Sequence, residues 1–132
     1  MRHHAAEEWE ARLDAAMHEL DAILEEKYAG QYILHPARPQ RGKTANPSYD
    51  GLFSVSANFS LGLGSQVGKG YVVDIKMVTL QNVSPSVREA IERQALDTLQ
   101  KLLPKYFPDT TLEIIKDGNV IKIHGDLSLG NA

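Results

Sequence analysis

Phe53, Val55, Ala57, Phe59 and Leu61 alternate without a break with Ser54, Ser56, Asn58 and Ser60. Successive side chains of a strand point to opposite faces, so this period of two sets an apolar row against a polar one. A helix would scatter the same residues around its circumference. The segment therefore demands a sheet with one buried and one wet face, the usual condition of antiparallel pairing. A glycine-rich connection, Gly62 to Gly70, leads to a second alternation. In it Tyr71, Val73, Ile75 and Met77 share a face, and Asp74 and Lys76 take the other. Together they predict a long hairpin over residues 52–80.

A second hairpin is expected over residues 111–124, around Asp117 and Gly118, a dipeptide that tolerates the positive φ angles of a tight turn. A two-residue turn there pairs Ile114 with Ile121, Leu112 with Ile123, Ile115 with Val120, and Glu113 with Lys122. Apolar then meets apolar and acid meets base.

Two stretches change to the helical period. Trp9, Leu13, Met17, Leu20, Leu24 and Tyr28 recur every three or four residues and predict a long helix over residues 5–29, ended by Gly30. Such a helix could present a coiled-coil seam, but covering the sheet is the favoured reading. Ser84 and Pro85 form a helix start, with serine as cap and proline where its missing N–H is not needed. The stripe Val87, Ile91, Ala95, Leu99 and Leu102 carries this second helix over residues 85–103, and Pro104 should stop or kink it. Tyr106 and Phe107 are expected to tuck against the core. The short apolar run Tyr32–Leu34 reads as one further strand. The expected fold is a single α+β domain, residues 1–132: a two-layer sandwich of four to five mainly antiparallel strands with two amphipathic helices on one face, in the order α-β-β-β-α-β-β. A chain of 132 residues is long enough to bury one core without staples.

The chain has no cysteine, which removes disulfides, thiolate metal sites and cysteine nucleophiles together. Its first residues turn acidic where a secretory signal needs an apolar run, and no stretch reaches the length of a membrane span. The expectation is a cytoplasmic protein with no membrane partner. A net charge of -3 conceals a strongly acidic first helix and a basic stretch, residues 35–50. That stretch holds Arg38, Arg41 and Lys43 and no acid before Asp50.

Motif by motif, the chemistry is thin. Ala37 to Thr44 resembles a phosphate loop in spacing, but that loop needs a helix starting at the lysine, and Pro47 opposes one. The glycines at 62, 64, 68 and 70 join two strands, whereas a dinucleotide fingerprint must open a helix. His18 and Glu19 begin a zinc-protease pattern that Ala22 ends. His3 and His4 stand beside a chain end. His124 and Asp126 are two residues apart at a strand end and form the weak candidate for acid–base chemistry, with Tyr71 or Asp74 nearby in the fold. Neither a metal nor a cofactor is expected.

The basic loop at residues 35–50 is the better candidate site, because structureless loops of that length commonly bind something. Its candidate ligand-binding residues are Arg38, Arg41, Lys43 and Tyr49, joined by Lys69 from the glycine-rich connection. The leading functional expectation is a non-enzymatic binding module whose partner is a second copy or another protein, engaged through the long helix or the open sheet face. The alternatives are a phosphate or nucleic-acid binder using the basic loop, and a small enzyme with a site near His124.

Overall fold

Helix α1 (His4–Lys27) forms where the 3.6-residue stripe runs, and that stripe is what it buries. Trp9, Leu13, Ala16, Met17, Leu20 and Leu24 are all buried, and each large side chain among them contributes roughly 1.5–3 kcal/mol by leaving water. No apolar stripe remains outside to serve as a coiled-coil seam. The computed structural model describes residues 4–40, 43–44, 50–60, 70–117 and 120–125.

The fold is α+β in the order α-β-β-α-β-β, with strands β1 (Phe53–Ser60) and β2 (Gly70–Met77), helix α2 (Pro85–Tyr106), and strands β3 (Leu112–Asp117) and β4 (Val120–Gly125). The strands make one antiparallel sheet ordered β1-β2-β4-β3. The alternation of the first hairpin is realised along its whole length, from Phe53 opposite Met77 to Ser60 opposite Gly70. Phe53, Val55, Val73, Ile121 and Ile123 point inward and are buried. Both helices lie on that side, α1 against β1 and α2 against α1 and β3. Aromatic rings close one end of the core, where Trp9 packs on Tyr71 at 5.0 Å and on Phe107 at 4.7 Å between centroids.

Three expectations are corrected. First, Tyr32–Leu34 is not a strand. The His35 N–H does reach the Val78 carbonyl at 3.0 Å, but Ile33 is held by side chains instead of a ladder: its carbonyl accepts from the Thr79 hydroxyl at 2.6 Å, and its N–H donates to Gln81 Oε1. Second, α2 does not stop before Pro104 but runs through it to Tyr106. Proline forfeits the hydrogen bond of its own N–H and crowds the carbonyl four residues back, but the turn beyond it is secured. The Phe107 N–H closes on the Leu103 carbonyl at 2.8 Å, Lys105 and Tyr106 bond Glu19 of α1, and Phe107 is buried.

Third, the second hairpin is two residues out of the expected register. Ile114 faces Ile123, Glu113 faces His124, Lys116 faces Ile121 and Asp117 faces Val120. The two intervening positions are therefore 118 and 119, which lie outside the described residues. A slip of two returns every side chain to its own face, so apolar alternation cannot distinguish the two registers. The observed one gives Lys116 a carboxylate, Glu92 of α2 at 3.4 Å, and sets Ile114 against the fully buried Ile123.

Candidate functional site

Of the basic loop's candidates, Arg38 and Lys43 are described, while Arg41 and Tyr49 lie outside the described residues, as does Lys69. Arg38 turns inward. Its guanidinium donates to three backbone carbonyls: Nε to Gly51 at 3.1 Å, and Nη2 to Asp50 at 3.1 Å and Phe53 at 3.0 Å. Lys43 is exposed. The structure does not bring these two bases together on one ligand-facing surface, because Arg38 is committed to backbone.

The carbonyls that Arg38 binds belong to a stretch whose N–H groups are held by Glu25 of α1. Leu52 donates to Glu25 Oε1 at 2.7 Å and Phe53 to Oε2 at 3.2 Å. Asp50 is buried, and its Oδ2 accepts both the N–H and the hydroxyl of Thr44, at 3.0 and 2.9 Å. Gly51 adopts φ +72°, a conformation open to glycine at little cost, and its N–H reaches the Pro39 carbonyl at 2.9 Å. This network ties the described ends of the loop to α1 and to the start of β1. Glu25 and Asp50 escaped sequence reasoning because their partners are mainly backbone groups, which leave no residue pattern.

His124 lies on the outer sheet face, opposite Glu113, with its Nε2 3.3 Å from the Glu113 carboxylate. Asp126 lies outside the described residues. Tyr71 points to the opposite side of the sheet, into the aromatic cluster with Trp9 and Phe59. It therefore does not join His124. Asp74 shares the outer face but is bonded to Lys76 at 3.4 Å. Among the described residues, no group of three or more His, Asp or Glu is placed to hold a metal ion.

Sequence reasoning also missed a difference between the two neighbours of β2. Strand β1 pairs with β2 along all of Gly70–Met77, while among the described residues β4 pairs with Tyr71–Val73. Beyond the end of β2, the Val78 carbonyl accepts from the His35 N–H at 3.0 Å. Residues 74–77 of β2 thus have a neighbour on one side alone among the described residues. A cavity of about 260 Å³ opens there, and its lining mixes Asn58, Val72 and Asp74 of the outer face with Val73, Ile75 and Ile121 of the inner face and Glu92 of α2. A second groove of about 440 Å³, also lined by Glu92, lies along α2 between Arg88 and Glu89 and Lys116 of β3.

Fold and site together define a small α+β protein, with two helices on one face of an antiparallel sheet and a basic loop whose described ends are tethered. A family model described as "Uncharacterised protein" matches residues 4–125, and the chain belongs to that family. It is similar to an "Uncharacterized protein" of Borreliella burgdorferi, 40% identical over 107 residues that span 81% of this chain and 84% of the relative. No solved structure matches. Among the described residues, no helix is long and apolar enough to cross a membrane.

Proposed function

We propose that the protein is a non-enzymatic interaction module of the cytoplasm that associates with a second copy of itself through the uncovered face of its sheet. The supporting observation is one of layers. Both helices cover the inner face, so Ser54, Ser56, Val72, Ile115, Val120, Lys122 and His124 form an outer surface without a helix over it. Val72, Ile115 and Val120 are already half-buried, and the small serines of β1 permit close approach of a second sheet.

Charge favours a self-complementary contact. Among the described side chains of this face, Asp74 and Glu113 are matched in number by Lys76 and Lys122, and a two-fold interface presents each patch to its own copy. The alternative route through α1 has lost its support, since the stripe of that helix is spent on the core.

Sedimentation equilibrium from low to high micromolar concentration tests the reading. Reversible dimerisation is expected, and Val72→Lys, which places a charge at the centre of the contact, should shift it to monomer. A strict monomer at high micromolar concentration would overturn it.

A further inference from the structure

The ladder geometry fixes what the far edge of the sheet presents. In an antiparallel pair, successive residues direct their N–H and C=O alternately toward and away from the partner strand. The Val78 N–H donates to the Leu52 carbonyl at 2.7 Å, so Asp74 and Lys76 of β2 face β1, while Tyr71 and Val73 face β4. Their partners Ile123 and Ile121 face back toward β2, which leaves Val120, Lys122 and His124 to bond Asp117, Ile115 and Glu113. Strand β3 is the last of the sheet, so Leu112, Ile114 and Lys116 direct their backbone groups out of it. Among the described residues, no group donates to or accepts from them there.

This edge lacks the guards that natural sheets place on an edge. At the opposite edge, Phe53 of β1 has its outward N–H and C=O held by Glu25 and Arg38. Strand β3 has no proline, its pairing with β4 runs from Leu112 to Asp117 without a bulge, and its lysine is drawn aside, Lys116 to Glu92 at 3.4 Å. Beside it lies a groove of about 360 Å³, walled by Leu112–Ile115 and, from the last two turns of α2, by Gln100, Leu103 and Pro104. Leu112 and Ile114, on the helix side of the sheet, are only half-buried. Glu113 is the one charged residue in this lining. Its carboxylate is exposed, and its ion-pair contact among the described residues is the His124 imidazole at 3.3 Å. The carbonyl end of α2 adds partial negative charge to the other wall. The lysine of its last turn, Lys105, is bonded to Glu19 of α1, and Lys101, exposed on the same helix, is not part of the lining. A base is the charge that the groove lacks.

We infer that the outer edge of β3 at residues 112–116 is a strand-addition site for a short extended peptide of alternating aliphatic and basic residues. The peptide backbone pairs with Leu112, Ile114 and Lys116, its aliphatic side chains enter the groove beside Leu103 and Pro104, and a base on the other face meets Glu113. Directly opposed residues share a face of the sheet, and Ile114 and Glu113 lie on opposite faces, so the alternation follows. An antiparallel copy of β3 itself fits less well: the same rule sets its Glu113 against Glu113, Ile115 or Asp117 and never against a base. Peptide binding by addition to a sheet edge draws affinity from main-chain hydrogen bonds and selectivity from alternate side-chain pockets. The edge is distinct from the outer-face contact centred on Val72, so either can fail without the other.

The test uses the full chain and a labelled, end-capped pentapeptide alternating valine and lysine. On titration the amides of Leu112, Ile114 and Lys116 should shift and gain protection from exchange, while those of Glu113 and Ile115, already bonded to β4, should keep the protection they have. Fluorescence anisotropy should show affinity falling about tenfold in Glu113→Lys and severalfold in Glu113→Gln, variants at an exposed position. A peptide of the same sequence with N-methylated valines, which cannot donate to the edge, should not bind. Val72→Lys should bind the peptide as the parent does; loss of binding there would assign the contact to the outer face and overturn the proposal. Absence of any shift at millimolar peptide would do the same. So would shifts confined to other surfaces, equal binding of a peptide alternating valine and aspartate, or indifference to N-methylation.

Discussion

Glu25 and Arg38 hold the same few residues of backbone by opposite groups. The carboxylate accepts the N–H groups of Leu52 and Phe53, and the guanidinium donates to the carbonyls of Asp50, Gly51 and Phe53. Phe53 is bound by both. As the first residue of an edge strand it would otherwise present a free N–H and C=O, the template on which sheets grow into aggregates. The two charged side chains thus secure the loop and blunt the strand edge at once.

Hydrogen bonds to charged groups contribute about 1.5–3 kcal/mol each when removal strands the partner. Arg38→Ala should therefore lower unfolding stability by about 2–4 kcal/mol, and Glu25→Ala by about 2–3 kcal/mol. Because both act on Phe53, the double variant should cost less than the two added together, a coupling readable from urea denaturation of the four proteins. Arg38→Lys should recover little, since a flexible ammonium cannot reproduce a planar fork aimed at three carbonyls. Additive losses would show that the two clamps work independently.

Glu19 joins the helices from the other end of the core. It accepts from Lys105 Nζ at 2.8 Å and the Tyr106 hydroxyl at 2.7 Å. These two hydrogen bonds, the Lys105 one foremost, hold its carboxyl below the ordinary value of 4.5, while the bond to Glu19 raises Lys105 and Tyr106 above theirs. A carboxyl lowered in the folded state binds fewer protons there than when unfolded, so its contribution is complete above pH 4.5 and disappears as pH falls through the folded value. For Lys105 and Tyr106 the sense is reversed, and their contribution fades above pH 10. Thermal melts of Glu19→Gln against the parent should differ most between about pH 5 and 9 and converge as pH falls through the lowered folded-state value of Glu19. A constant difference across the acid range would remove the hydrogen-bonded carboxylate as its cause.

How much of this was legible differs from element to element. The strand at Phe53–Ser60 and the helix through Trp9 and Leu24 were readable because each buries one face, and burial imposes a period on the residues themselves. The hairpin at Leu112–Gly125 was readable as a hairpin but not in register, since pairing Ile114 with Ile121 or with Ile123 satisfies the same faces. The observed pairing comes with a contact to another element, Lys116 to Glu92 of α2 at 3.4 Å, which no local pattern announces. The continuation of α2 past Pro104 likewise depends on Glu19, far away in sequence. Arg38 was singled out for its charge, but its partners are carbonyls.

Three glycines provide a graded test of the packing, because the same added methyl meets a different neighbour at each. At Gly30, φ is +76° and a Cβ would have nothing within 4 Å, so Gly30→Ala should cost only the roughly 1–2 kcal/mol of a left-handed L-residue. At Gly51 the same backbone strain is joined by a Cβ 2.8 Å from Glu25 Oε1. The carboxylate must move, and the loss should rise to about 2–4 kcal/mol as its hydrogen bonds to Leu52 and Phe53 weaken.

Gly70 has no unusual φ, and its requirement is steric: a Cβ would fall 2.5 Å from the Ile123 carbonyl oxygen and 3.3 Å from His124 Cβ. Backbone cannot yield as a flexible side chain can, so β2 and β4 must separate where they meet. A loss of about 2–3 kcal/mol is expected from such overpacking. Hydrogen exchange locates it. In Gly70→Ala the amides of Ile121 and Ile123 should lose protection while those of Ser54 and Ser56, opposite Lys76 and Asp74, keep theirs, since β1 pairs on the other side of β2. Uniform loss across all four strands would mean that the glycine serves global stability and not the closeness of this one strand pair.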